Sequence, residues 1–126
     1  MVGIFHSLPL KVSSMDGRSF VLLEAFDFFR PSGEKITVPV GTKSDGASTP
    51  RLIWDAIPPF GSYWPAAYLH DFLYRNTQRP KEECDTILNE AMVALNVEDV
   101  ERINIYEGVH LGGWKSFDDD RARGNT

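Results

Sequence analysis

At 126 residues, 42% apolar and 25% charged, the chain has the size and composition of one soluble globular domain that can bury a core without metal or disulfide staples. Its formal charge of −5, from 18 acidic against 13 basic residues, speaks against generic affinity for nucleic acid, and no apolar run of about 18 residues is present to span a bilayer as a helix. Cys84 is the single cysteine, so no intramolecular disulfide can form, and the opening MVGIFHSLPLKV lacks the basic start and apolar block of a secretory signal; a reducing, cytoplasmic setting is expected.

The first third reads as β structure. Leu8, Leu10 and Val12 alternate with smaller or polar residues, Met15, Asp16, Gly17 and Arg18 supply turn chemistry, and an extended pattern resumes over Phe20 to Leu23, which predicts a hairpin. Phe26, Phe28 and Phe29 continue, Pro31, Ser32 and Gly33 break the run, and Ile36, Val38 and Val40 alternate as a half-buried strand. Pro39 has no N–H to donate, so that strand belongs at a sheet edge or close to its own end.

The loop KSDGASTP over residues 43–50 hands over to a short helix expected across 51–57, with Thr49 as cap and Pro50 at the first helical position. Pro58 and Pro59 stop it. A second helix opens at Pro65 in PAAYLHDFLY, and its spacing puts His70 and Tyr74 on one face. A third follows Pro80, with Glu82 and Glu83 at the positive end of its dipole and Cys84, Ile87, Leu88, Ala91 and Met92 as its apolar face; Asp85 borders that face. A last helix runs from about Val97 to Trp114, and the charged end DDDRARGNT is expected to fray. The predicted architecture is α+β, a small antiparallel sheet followed by three to four helices, in one domain over 1–116 with a flexible charged tail over 117–126.

The adjacent His70 and Asp71 sit inside an apolar helix, and charge close to a core is costly unless partners or a metal compensate. Two helices joined by a short connector pack antiparallel, which brings Asp85 toward His70. That arrangement suits a general base: Asp85 orients the His70 imidazole toward water, and Asp71 offers a hard oxygen ligand for a cation that polarises an ester carbonyl. Asp45 is a further candidate ligand. The competing reading makes His70 a satisfied core histidine and Asp71 the ion-pair partner of Arg51 or Arg75. His6 and His110 are expected to lie outside the site, and Cys84 to be a core residue.

Two resemblances bear on these residues. The run AAYLHDFLY followed by Asp85 resembles the active-site helix pair of phospholipases A2, most closely the compact, disulfide-free version of parvovirus capsid proteins. That likeness implies His70 and Asp85 as catalytic residues, calcium as cofactor and phospholipid as substrate, although Pro59, Phe60, Gly61 and Ser62 are a poor counterpart of the family's calcium loop.

Over a longer span, VPVGTKSDGASTPRLIW, PPFGSYWPAAYLHDFLY, the Cys84-Asp85 helix and IYEGVHLGGW together resemble a small uncharacterised domain family of tailed phages and prophages. It implies a setting in the bacterial host cytoplasm or the virion, adds Asp45 to the cluster, and makes Ser48, Arg51 and Tyr74 supporting or substrate-contacting residues. Three functions follow as expectations: a metal-assisted ester hydrolase, with calcium first and zinc second, acting in infection or lysis; a non-catalytic virion or assembly component that contacts other phage structural proteins; and a metal-dependent cell-wall hydrolase.

Overall fold

A computed structural model describes residues 2–14, 19–44 and 63–125. The turn expected at 15–18, the loop carrying Asp45 and Ser48, and the helix expected over 51–57 with Arg51 lie outside those residues.

Among the described residues of the first third are six short strands: β1 (Ile4–His6), β2 (Val12–Ser13), β3 (Phe20–Leu22), β4 (Phe26–Phe29), β5 (Lys35–Val38) and β6 (Lys43–Ser44). They form two antiparallel three-stranded sheets, in the orders β1-β4-β5 and β2-β3-β6, where one small sheet was expected. The division falls at the bend through Leu23 and Glu24, which takes the chain from β3 in one sheet to β4 in the other. The expected hairpin is β2 with β3, pairing Val12 with Leu22, and β5, which ends before Pro39, is an edge strand. Alternation sets the faces: Phe26 opposes Val38 and Phe28 opposes Ile36, all four buried, while Thr37 Oγ1 donates to Asp27 Oδ1 at 2.6 Å on the other face.

Four helices follow among the described residues: α1 (Trp64–Asn76), α2 (Lys81–Ala94), α3 (Asp99–Gly112) and α4 (Trp114–Arg123). Pro65 stands in the first turn of α1, where its missing N–H leaves no bond unmade. The chain is therefore α+β, as its pattern predicts. None of these helices is long and apolar enough to cross a membrane.

One core joins sheets and helices. Phe26 meets Tyr68 edge-on at 6.4 Å, Phe20 meets Trp64 at 5.2 Å, and the Tyr68 hydroxyl donates to Thr42 O at 2.7 Å, so α1 lies against both sheets. Leu69, Leu73, Ile87, Leu88, Ala91 and Met92 fill the space between α1 and α2. Outside that core, Arg30 at the end of β4 reaches Glu90 of α2 at 2.8 Å, and Glu34 takes Arg30 at 3.0 Å and Arg79 at 2.6 Å. Arg79 also holds Glu83 at 2.6 Å. Arg79 and Lys81 are thus engaged by carboxylates of their own chain.

The chain end departs from expectation. Instead of fraying, residues 114–123 are helical, Asp120 is buried, and Arg121 donates to Tyr74 O at 2.8 Å and Arg79 O at 2.6 Å. These are carbonyls at the end of α1 and in the connector after it, which helix geometry leaves without intrahelical partners. A charged segment with little apolar content docks here by capping another helix.

Candidate functional site

Asp85 is the centre of a buried polar cluster built from three helices. It lies one turn into α2, and its neighbours on α1 come from the i, i+4 pair His70 and Tyr74. His70 Nε2 is 2.8 Å from Asp85 Oδ1, and the Tyr74 hydroxyl donates to the same oxygen at 2.5 Å. Lys81, four residues before Asp85 on the same helix, donates from Nζ to Oδ2 at 2.7 Å. His110 of α3 brings Nδ1 to 3.2 Å from Oδ2. The expected meeting of His70 and Asp85 is present, and Tyr74, Lys81 and His110 join it.

Burial of Asp85 acts to raise its carboxyl pKa, but the bonds from His70, Lys81 and Tyr74 outweigh it and hold the group well below the usual carboxylate range. An ionised carboxylate only accepts hydrogen bonds, so each neighbour must donate to it. His70 therefore carries its proton on Nε2, leaving the Nδ1 lone pair as the basic edge, and His110 carries one on Nδ1, leaving Nε2 at its outer edge. Tyr74 titrates far above the ordinary phenol, through burial first and the bond to Asp85 second. It serves as a fixed donor.

Exposure differs sharply within the cluster. Asp85 is fully buried and His70 is 2% exposed, whereas the His110 side chain is 36% exposed. Lys81, also buried, spends its other donors on Val109 O at 3.0 Å and His110 O at 2.9 Å, closing the end of α3. Its ammonium lies 5.3 Å from the centre of the Trp114 ring. The His110 ring stacks on Tyr106, 5.3 Å between centroids and 9° from parallel.

Asp71 faces elsewhere. Its Oδ2 is 3.7 Å from Arg75 Nη1, a neighbour one turn on, and Arg75 donates to Lys43 O at 3.0 Å. This end of α1 is tied to β6, immediately before the segment that carries Asp45. Among the described residues no group of three or more His, Cys, Asp or Glu side chains is arranged to hold a metal ion. The donors around Asp85 do not suit a cation, because the Lys81 ammonium already stands at Oδ2. Asp45, Ser48 and Arg51 lie outside the described residues. Cys84 is buried, its thiol pushed up to about 12 chiefly by desolvation, as befits a core residue.

His110 and Lys81 are the members that sequence reasoning missed. Lys81 carried a signal, the i, i+4 spacing to Asp85. His110 carried none: it stands 25 residues beyond Asp85, and only the return of α3 brings it in.

A family model described as a protein of unknown function, DUF1353, matches residues 20–109, and the chain belongs to that family. Over 62 residues, 48% of this chain, it is 42% identical to the uncharacterized protein y4jT of Sinorhizobium fredii (strain NBRC 101917 / NGR234). That match spans 18% of the relative, a much longer protein. No solved structure matches the chain.

Proposed function

We propose that this DUF1353 member is an ester hydrolase whose base is His70, oriented by Asp85, with phospholipid as the leading substrate class. The observation that carries the reading is the 2.8 Å contact between His70 Nε2 and Asp85 Oδ1. With its proton on that side, the imidazole presents a lone pair at Nδ1 that can accept a proton from water, and the ionised carboxylate steadies the imidazolium so formed. Tyr74 holds the carboxylate in place. The resemblance of AAYLHDFLY and Asp85 to the active-site helices of viral phospholipases A2 supports the substrate class, and the resemblance to a phage and prophage domain family supports a role in infection or lysis, in the host cytoplasm or the virion. A cation at Asp71 and Asp45 belongs to the same reading as a carbonyl-polarising group, calcium before zinc.

The test is turnover of a fluorogenic lipid ester and of phospholipid vesicles, without added metal and with calcium, zinc or manganese. His70→Gln is expected to lower kcat at least about a hundredfold while the melting temperature stays close to that of the wild type. No turnover by the wild type under any of these conditions sinks the enzymatic reading.

A second reading, a non-catalytic phage structural or assembly component, is favoured by a specific observation: Asp85 is saturated by four donors and His70 is 2% exposed. Such a cluster locks three helices together. On that reading His70→Gln lowers the melting temperature and the wild type hydrolyses nothing.

A further inference from the structure

We propose that the outward face of α3 docks a helix of a partner protein, one whose apolar stripe carries a lysine or arginine at its centre. The docking surface is separate from the cluster around Asp85 and stands whether or not that cluster is catalytic.

Ile105 and Val109 bury one side of α3. On the other side Val100 is 73% exposed, Ile103 45% and Leu111 77%. Helix geometry puts these three in a single sector, together with Asn104 and Glu107, and Val100 to Leu111 spans about 16 Å along the axis. At its start the stripe runs into an open groove of about 570 Å³ at the corner between α2 and α3, where Val93 and Val97 join Val100. Single exposed aliphatic side chains are ordinary, whereas a stripe continuous with a groove is the form of an interaction surface.

Charge decides what fits there. Elsewhere Glu24, Glu34, Glu83, Glu90 and Asp119 are matched by lysines or arginines of their own chain. Around the stripe, Glu98 and Glu107 form no ion pair among the described residues. Arg102, the cation lining the groove, is already taken by Asp99 at 3.2 Å and Asn89 at 2.8 Å. Glu98, at the start of α3, suits the positive end of the helix dipole. Glu107 stands mid-helix and has no such reason to be there.

Val100, Ile103 and Glu107 follow heptad spacing, so Glu107 occupies a seam position between apolar neighbours. A facing helix must set a cation against it. A second copy of this chain cannot: parallel pairing opposes Glu107 to Glu107, and antiparallel pairing about the middle of the stripe leaves the two carboxylates within about one turn of each other. A lipid surface fits no better, because helices that lie in a membrane interface flank their apolar face with lysine and arginine, not with unmatched glutamate. A basic amphipathic helix answers both the stripe and the charge.

The experiment selects ligands for the immobilised full-length chain from a display library of peptides with leucine fixed at heptad spacing, the central seam position and all others being random. Selected peptides are expected to carry lysine or arginine at that central position. By fluorescence anisotropy, Ile103→Asp and Glu107→Lys each weaken binding of the selected peptide at least about tenfold. Both positions are exposed, so the melting temperature stays at the wild-type value. Replacing the peptide's central cation by glutamate restores binding to Glu107→Lys, a rescue that damage to the fold could not produce. Failure to enrich any peptide, enrichment without a central cation, or affinities indifferent to both substitutions overturns the proposal. So does a wild-type dimer in sedimentation equilibrium that Ile103→Asp dissociates, which gives the face to a second copy. Sedimentation with phosphatidylcholine vesicles that Ile103→Asp abolishes gives it to lipid and overturns the proposal as well.

Discussion

Asp85 illustrates how a buried charge is tolerated at the scale of single residues. Its anion faces one full cation, Lys81, and three further donors, so neither charge is stranded. The two halves of the ion pair are not equivalent. Asp85→Asn leaves the buried Lys81 ammonium with two backbone carbonyls and no anion, and is expected to cost about 3–5 kcal/mol in urea denaturation. Lys81→Met leaves Asp85 with His70, Tyr74 and His110 still donating, and is expected to cost less, about 1–3 kcal/mol. The reverse order would mean that Lys81, not Asp85, anchors the cluster. Asp85 also sets a pH dependence. Its folded pKa lies below the ordinary 3.8, so its contribution is fully present above that value and is lost as pH falls through the depressed folded value. Acid-induced loss of stability is therefore expected to begin below about pH 4 in the wild type and to be shallower in Asp85→Asn.

At the scale of elements, the corner between α3 and α4 turns on one glycine. A Cβ on Gly113 would stand 2.3 Å from Val109 O, a backbone atom that also receives Lys81. Its φ of −92° suits any residue, so the requirement is space and not backbone freedom. Gly113→Ala is expected to cost about 1–3 kcal/mol as α3 and α4 are pushed apart. The neighbouring Gly112, with nothing within 4 Å of its added Cβ, is the control: Gly112→Ala is expected to be neutral or to gain up to about 1 kcal/mol. Equal effects at the two positions in urea denaturation would show that helix propensity and not crowding governs the corner. The elements themselves were legible to different degrees. The hairpin, the edge strand before Pro39, α1 and α2 could all be read from periodicity and punctuation, because those signals are local. The second sheet could not, since a bend at Leu23 and Glu24 resembles any loop until the pairing partners are known. Nor could α4, whose apolar content is little more than Trp114 and Phe117 and whose docking depends on carbonyls that α1 leaves over.

On the scale of the whole molecule, the candidate site shows the same division between local and distant information. His70, Tyr74 and Asp85 follow from helix spacing and one short connector, while His110 enters only through the packing of α3, which no spacing rule encodes. What then holds the assembled layers in register is α4. Phe117 packs edge-on against Tyr74 at 5.0 Å, Arg121 caps α1, and Asn125 accepts from Lys43 N at 2.8 Å and donates to Gly41 O at 3.2 Å, so this last segment connects the polar cluster to the β2-β3-β6 sheet. Deleting residues 114–126 should therefore behave as the removal of a structural element. A frayed tail away from such contacts would change stability by no more than about 0.5 kcal/mol. Hydrogen bonds from a charged donor such as Arg121 contribute about 1.5–3 kcal/mol each, and the deletion also bares the ring of Tyr74, which fixes Asp85. The expected result is a truncated chain with a markedly lower melting temperature by circular dichroism, and with the ring proton signals of His70 and His110 displaced in NMR spectra because the carboxylate they share has lost its support. An unchanged melting temperature would mean that α4 rests on the fold without contributing to it, and the cluster would then have to be held by α1, α2 and α3 alone.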